Sequence, residues 1–258
     1  MSWVPSGAWL TPGYAEWRPP AALRGPVACL WARVVPDGDD QAGIDGHTTL
    51  VLPDACSDLI WEQGVGAYVA GPDTGPVHTE TRPGMVFVGA RFRPAAGGQV
   101  LGLPLNELRD QRIPLADLRN DAARGLPATL TPAEAAARLR AVTGTLIADS
   151  SPDPAIDEAA SLLGDPSART QDIAGRVGLS ERQFRRRSHA AIGYGPKTLQ
   201  RILRFQRFVR LLDASAQPPD LAAVAALTGY ADQPHLTREC VALSGLTPAA
   251  LAKTRRPA

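Results

Sequence analysis

A short pattern that occurs twice in the C-terminal half restricts the fold of this 258-residue chain more than any other feature. Residues 173–179 (IAGRVGL) match residues 224–230 (VAALTGY) at an offset of 51, and the pairs after them match at an offset of 52. One residue inserted at a turn explains the change of offset. Such a repeat predicts two copies of one structural unit.

Each copy has the residue pattern of a helix-turn-helix unit. A small residue, Ala174 or Ala225, allows two helices to approach closely. Four positions later comes a glycine, Gly178 or Gly229, which can adopt the positive φ that a tight turn requires. We therefore expect two helix-turn-helix units, at about residues 170–196 and 221–248.

The second helix of each unit has a recognisable start. Ser180 is a predicted N-cap whose capping box is completed by Gln183, and Asp232 with Pro234 marks the start in the second unit. Between the units, residues 197–212 carry apolar side chains at helical spacing and are predicted to form a rigid linker helix.

Basic residues are concentrated in the C-terminal part. The formal net charge of the chain is +1, but it is −4 for residues 1–150 and +5 for residues 151–258, an asymmetry that suggests a nucleic-acid-binding module. The prolines around residues 150–154 indicate a linker, so these two ranges are the predicted domains. Arginines recur on the linker helix at Arg201, Arg204, Arg207 and Arg210. They either face DNA or form a solvated charged face.

Residues from about 155 to 258 resemble the AraC/XylS-type DNA-binding domain. The most specific segments are residues 229–239 (GYADQPHLTRE) and 245–248 (GLTP), which follow the signature of that family. The resemblance implies seven helices, two helix-turn-helix motifs joined by a long helix, and a transcription regulator that binds double-stranded promoter or operator DNA with sequence specificity.

Exposed side chains in the first two turns of a recognition helix reach base edges in the major groove. In the first unit these are Arg182, Gln183, Arg185 and Arg186, and the resemblance maps base contacts onto the three arginines. The corresponding, less basic face of the second unit is made of Gln233, His235, Thr237 and Arg238. The alternatives are contacts to phosphate alone for the arginines of the first unit, and an ion pair of Arg238 with Glu239 or Asp232.

Strand-length apolar runs bounded by Pro, Gly and Asp fill the first half of the chain. They lie at residues 28–35, 48–52, 58–61, 67–70 and 85–92. Thr131, Pro132 and Glu134 then predict the start of a helix that runs towards Ile147. The predicted fold class is α+β multidomain, with an N-terminal antiparallel β-barrel of cupin-like type and a C-terminal all-α bipartite helix-turn-helix domain.

Regulators of the family that the C-terminal part resembles often carry an N-terminal cupin-like domain for effector binding or dimerisation. We therefore expect control by a small molecule, with Trp61, Tyr68, Arg91 and His47 as candidate ligand-binding residues. The N-terminal domain could instead only dimerise or bind a protein partner. An enzyme with a helix-turn-helix tail is the third alternative; against it, the sequence lacks nucleophile and phosphate-loop motifs, so we expect no catalysis.

Three cysteines, Cys29, Cys56 and Cys240, are too few for a four-thiolate zinc site, and we expect neither a metal nor a cofactor. The sequence shows no run of roughly 18 apolar residues and no signal-peptide pattern at its start, which predicts a cytoplasmic protein without membrane contact. The expected partners are promoter DNA, a small-molecule effector and, as a further candidate, RNA polymerase, with the chain as a monomer or homodimer.

Overall fold

The computed structural model describes residues 13–36, 48–215 and 220–255. Its strands are β1 (Gly13–Trp17), β2 (Val27–Val34), β3 (Thr48–Val51), β4 (Ser57–Glu62), β5 (Gly66–Ala70), β6 (Val77–Glu80), β7 (Val86–Phe92) and β8 (Arg112–Pro114). Its first four α-helices are α1 (Ala96–Leu101), α2 (Leu115–Leu118), α3 (Asn120–Ala123) and α4 (Pro132–Ala148). The others are α5 (Pro154–Leu162), α6 (Thr170–Arg176), α7 (Glu181–Ile192), α8 (Pro196–Ala214), α9 (Leu221–Thr228), α10 (Gln233–Ser244) and α11 (Pro248–Thr254).

The N-terminal part is built on antiparallel strands, which confirms the predicted fold class. Six strands form one sheet in the order β1-β2-β7-β4-β5-β8, and β3 pairs with β6 in a second, two-stranded sheet. The five apolar runs that the sequence singled out correspond to β2, β3, β4, β5 and β7. Within the described residues no strand pairing joins the two sheets, so the barrel is open.

The large sheet has two differently covered faces because successive side chains of a strand point to opposite sides. One face, with Leu59 and Trp61 of β4, packs against α4 in a fully buried core. The other face, with Ile60 of β4 and Trp31 of β2, carries a smaller apolar cluster. The two-stranded sheet lies over this second face, and Arg33 donates to Thr49 Oγ1 across the gap at 2.8 Å.

Helix α4 begins where the sequence predicts. Thr131 accepts a hydrogen bond from the Glu134 backbone N–H at 3.4 Å, and the Glu134 carboxylate accepts from the Thr131 backbone N–H at 2.9 Å. This reciprocal capping box satisfies two of the backbone donors that a helix start leaves unpaired.

The C-terminal part consists, within the described residues, of the seven helices α5 to α11. The repeat is structural as well as sequential, since the Leu179 N–H donates to Ala174 O and the Tyr230 N–H donates to Ala225 O, both at 2.9 Å. Gly178 and Gly229 have φ values of +69° and +85° at the two turns, as their positions predict. The predicted linker helix is α8.

The two parts have separate cores that meet along a contact. One core is made of side chains between Leu23 and Leu146, and the other spans Ile156 to Leu251 and also takes in Ala55 and Ala95. The boundary after Ser150 stays a prediction and lies between α4 and α5. Among the described residues, no helix is long and apolar enough to cross a membrane.

Candidate DNA-binding surface and ligand cavity

Helix α7 presents a basic face to solvent. Ser180 caps the helix by accepting from the Gln183 N–H at 3.3 Å, and the apolar side of the helix buries Phe184 and Ile192. The three arginines to which sequence reasoning assigned base contacts, Arg182, Arg185 and Arg186, are all exposed.

Two neighbours on α7 are engaged within the protein. The Oε1 atom of Gln183 accepts from the Ser180 backbone N–H at 3.0 Å and from its hydroxyl at 2.9 Å, so its capping role is observed. Arg187 forms a bidentate ion pair with Asp153, the N-cap of α5. The basic face of α7 therefore consists of three guanidinium groups and not four.

Helix α10 occupies the equivalent place in the second unit and has a less basic face. Its residues Gln233 and Arg238 are exposed. The half-buried His235 ring packs edge-on against Tyr230 at 5.2 Å, and its Nδ1 accepts from the Ala231 N–H at 3.4 Å. Thr237 donates to Gln233 O at 3.0 Å. Two of the four predicted residues thus have structural contacts.

The arginines of the linker helix hold the second unit in place. Arg201 pairs with Glu239 of α10 at 2.5 Å, which occupies a carboxylate that sequence reasoning offered to Arg238. Arg204 lies over the Tyr230 ring at 5.4 Å. Arg207 donates to Thr228 O at 2.8 Å and to Gly164 O at 2.9 Å. Of the four linker arginines only Arg210 is exposed, and the other three have contacts within the C-terminal part. DNA contact by this helix stays a prediction.

A cavity of about 560 Å³ lies between the large sheet and the β3–β6 sheet. This volume is in the range of cavities that hold drug-sized ligands. Its apolar lining includes Trp31, Ile60, Tyr68 and Phe87 from the large sheet and Val77 from β6.

A glycine fixes the position of the indole on the cavity floor. Gly89 is the cross-strand partner of both Trp31 and Ile60, so it sits in the middle of the floor. A Cβ atom at Gly89 would lie 2.1 Å from the Trp31 ring, which shows that the indole rests directly on the glycine backbone. The indole Nε1 donates to Asp58 Oδ1 at 2.7 Å and anchors the ring edge.

Two arginines of the cavity, Arg91 and Arg112, are paired with carboxylates. Arg91 lies within 3.4 Å of carboxylate oxygens of Asp58, Asp54 and Glu16. Burial raises the pKa of Asp58 to about 6, an effect that Arg91 opposes. Burial also works against the charge on Arg91, but Asp58 and Asp54 raise the pKa of its guanidinium. A second pair, Arg112 and Asp73, is bidentate at 2.7 and 2.8 Å.

The four predicted ligand-binding residues lie at different places relative to the cavity. Tyr68 and Arg91 line the cavity. Trp61 does not, because strand alternation puts it on the opposite face of β4, where its Nε1 donates to Pro127 O at 2.9 Å; this is a correction to the prediction. His47 lies outside the described residues. The contact between Trp31 and Asp58 has no local signal in the sequence, because β7 lies between their strands β2 and β4.

Cys56 lies at the cavity edge as a half-buried free thiol. Burial, with Asp54 and Asp58 nearby, raises the pKa of this thiol. It is therefore poorly suited to form the thiolate that redox sensing requires. Among the described residues, no cluster of three or more His, Cys, Asp and Glu side chains is arranged to hold a metal ion.

Besides α1, which packs against α7, two short segments that line the cavity contact the C-terminal helices. The cavity-wall segment, residues 52–56, places Leu52, Asp54 and Cys56 on the cavity. Its Pro53 O accepts from Gln206 Nε2 of α8 at 2.7 Å, and Ala55 is buried in the C-terminal core.

The helix-contact loop, residues 71–76, meets the glycines that end both recognition helices. Gly193 ends α7 and Gly245 ends α10, each with a positive φ. A Cβ at Gly193 would lie 2.5 Å from Pro72 Cγ, and one at Gly245 would lie 4.0 Å from Pro76 Cγ. Gly71 and Asp73 of the same loop line the cavity.

Comparison with known proteins gives two family matches and several similar folds. Residues 15–114 match a domain of unknown function (DUF6597), and residues 173–254 match the helix-turn-helix domain family. No curated protein matches the chain.

The solved structures that are similar include ToxT from Vibrio cholerae O395, with 10% identity and a TM-score of 0.45, covering 89% of this chain and 97% of that one. Unsaturated fatty acid bound wild-type ToxT from strain SCE256 has 10% identity and a TM-score of 0.43, covering 81% and 94%. The duplicated unit and the linker helix agree with the family match, so residues 173–254 form a helix-turn-helix domain.

Proposed function

We propose that this chain is a transcription regulator of the AraC/XylS type, which binds promoter DNA under the control of a small molecule held in the cavity of its N-terminal part. The observation that carries the proposal is that one short segment both lines the cavity and contacts the C-terminal helices. The cavity-wall segment lines the cavity with Leu52, Asp54 and Cys56, while Pro53 and Ala55 belong to the contact with the C-terminal core.

The basic face of α7 is proposed to recognise bases. Arg182, Arg185 and Arg186 can each donate two hydrogen bonds to a guanine edge, and their exposure leaves them available for this contact. On α10, Gln233 and Arg238 are proposed to recognise bases in the same way. His235 and Thr237, which already have internal partners, are proposed to support the shape of that helix.

The route from cavity to DNA runs through packed groups. A ligand that displaces the cavity-wall segment moves Pro53 O, and with it the hydrogen bond to Gln206 on α8. Helix α8 joins the two helix-turn-helix units, so its position sets the distance between the recognition helices. A ligand changes DNA affinity only to the extent that it prefers one of the two arrangements.

The experiment uses the full chain. Preferred DNA is selected from a random duplex library, and its affinity is measured by fluorescence anisotropy. Compounds that raise Tm are then tested for their effect on that affinity. We expect at least one stabilising compound to change DNA affinity about fivefold or more, the lower end of typical coupling between sites.

A matched pair of variants tests the route. Gln206→Ala removes the hydrogen bond to Pro53 and is expected to reduce the ligand effect to less than about twofold. Gln200→Ala is the control, because Gln200 on the same helix donates to Ala168 O, a contact within the C-terminal part. If no DNA sequence is enriched, the regulator role fails. If stabilising compounds leave DNA affinity unchanged, the N-terminal domain serves another purpose, such as dimerisation.

A further inference from the structure

A second cleft, of about 740 Å³, lies between the N-terminal part and the first helix-turn-helix unit. Arg109 and Thr74 line this interdomain cleft from the N-terminal part, and Arg185 and His189 line it from α7. Lys197, in the first turn of α8, completes the lining on a third side. The cleft thus places an arginine of the acidic N-terminal part beside the helix that is proposed to recognise bases.

The interdomain cleft carries more positive than negative charge. Its charged lining consists of four cationic side chains and two carboxylates: Arg109, Arg185, Lys197 and Arg201 against Asp110 and Glu181. Arg201 is paired with Glu239, which leaves three cations for the two carboxylates. Burial and the charges of Arg109 and Arg185 lower the pKa of His189, as a positive potential does. The cleft therefore favours an anion.

Arg109 is positioned by its neighbours but keeps its guanidinium accessible. The Asp110 carboxylate accepts from the Thr74 N–H at 2.6 Å and from the Thr74 hydroxyl at 2.9 Å, which ties this turn to the helix-contact loop. The Nε atom of Arg109 lies 3.8 Å from Asp110 Oδ2, and 45% of the Arg109 side chain is exposed. Such an exposed pair is weak, so a phosphate group can compete for the guanidinium.

The cleft adjoins a side of α7 along which a DNA backbone passes when the helix lies in the major groove. An α-helix with its side chains is about as wide as the groove, roughly 10–12 Å against 12 Å, so a phosphate backbone runs along each flank. Arg185 and His189 line the cleft from one flank of α7, while Arg187 lies on the other and pairs with the start of α5. Thr170 and Gln171, at the start of α6, line the same cleft. The first helix of such a unit crosses the DNA backbone, which agrees with this placement.

We infer that the N-terminal part itself binds DNA, through a contact between Arg109 and a backbone phosphate beside α7. The inference rests on the proposed function and adds a second part of the chain to the DNA interface. A guanidinium donates two parallel hydrogen bonds to a phosphate, and Lys197 adds a positive charge. Because phosphate carries no base identity, the contact raises the affinity for every sequence alike. A movement of the N-terminal part then changes DNA affinity directly, in addition to any movement of α8.

Anisotropy titrations of the full chain at several salt concentrations test the contact, with the selected duplex and a random duplex. At about 0.1 M salt, Arg109→Ala is expected to weaken binding of both duplexes by the same factor, about three- to tenfold. It should also lower the slope of log K against log salt by about one and leave the preferred bases unchanged. Arg109→Lys keeps the charge and should stay within about threefold of the wild type.

Arg138→Ala, at an exposed arginine of α4, is the matched control and should keep the affinity and the full salt slope. If Arg109→Ala leaves affinity and slope unchanged, the inference is wrong. A loss of affinity at an unchanged slope also overturns it, because a purely structural role of Arg109 removes no phosphate contact.

The outcomes separate this inference from the proposed function. If Arg185→Ala weakens binding and Arg109→Ala does not, α7 binds DNA and the N-terminal part does not. If Arg109→Ala acts as expected but selection enriches no sequence, the backbone contact stands and the regulator role fails. If the chain binds neither duplex, both fail. If calorimetry shows that inorganic phosphate binds the DNA-free chain through Arg109, while Arg109→Ala leaves DNA affinity unchanged, the cleft serves a free anion and the inference is wrong.

Discussion

Asp58 is a buried carboxyl group whose ionisation the fold disfavours. Burial raises its pKa to about 6 in the folded chain, against an ordinary value of 3.8. Because the folded state holds the proton more tightly, this group lowers the stability as pH rises from about 4 to 7. The expected loss is up to about 3 kcal/mol.

Asp58→Asn removes this titration and keeps an oxygen that can accept from Trp31. We expect the free energy of unfolding of the variant to fall less between pH 4 and pH 7 than that of the wild type, in urea titrations at each pH. Asp117→Asn, at an exposed carboxylate of α2, is the control and should follow the wild type. Parallel curves for wild type and Asp58→Asn would mean that Asp58 ionises normally.

Arg182 and Arg186 are expected to recognise bases. Replacing either with alanine should cost about 1–3 kcal/mol of binding to the selected DNA and change the preferred base at one position. Repeating the selection and the anisotropy titration with each variant checks both effects. Arg138→Ala, on the exposed side of α4, controls for the loss of one positive charge. An equal loss on selected and random DNA would point to phosphate contacts instead.

At the scale of the elements, Arg207 connects three helices. It belongs to α8 and donates to Thr228 O at the end of α9 and to Gly164 O just after α5. Arg207→Ala leaves two partly buried carbonyl groups without this donor and should destabilise the chain by about 1–2 kcal/mol, with weaker DNA binding. Denaturation and anisotropy measure the two effects. Arg210→Ala, three residues further along α8 at an exposed position, should change stability by less than about 0.5 kcal/mol.

The end of α7 offers a second test at this scale. Gly193→Ala and Gly178→Ala both put a side chain at a positive φ, which costs about 1–2 kcal/mol. Only the Cβ at position 193 meets the N-terminal part, at Pro72; the Cβ at position 178 meets nothing within 4 Å. Gly193→Ala should therefore lower Tm further than Gly178→Ala by an amount equivalent to about 1–3 kcal/mol. Similar Tm values for the two variants would show that Pro72 moves away from the new Cβ without a measurable loss of stability.

The same elements show what the sequence could predict. The caps at Thr131 and Ser180 and the turns at Gly178 and Gly229 depend on neighbours within a few positions, so the pattern of residues was enough. Strands β1, β6 and β8 were not predicted, because short strands at the edges of sheets lack the apolar runs that mark β2 and β7. The partners of Arg201 and Arg207 lie more than 20 residues away in sequence, and no local signal identifies such contacts.

At the scale of the whole molecule, the total charge of +1 conceals two parts of opposite net charge that are in direct contact. Coupling between cavity and DNA is reciprocal, so a ligand that changes DNA affinity by some factor must itself bind more or less tightly by that factor when DNA is present. Calorimetry with and without the selected duplex should return the same factor as the anisotropy titrations. Two different factors would mean that the ligand acts at a further site.

Because Pro72 and Pro76 belong to one loop, a single short piece of chain abuts the ends of both recognition helices. If both recognition helices bind DNA as proposed, a shift of that loop would displace both of them in one step. We therefore expect promoters in which one half-site has decayed to keep the same ratio of induced to uninduced expression at a lower overall level. Promoter strength would then be free to vary by mutation of a half-site while sensitivity to the signal stays constant.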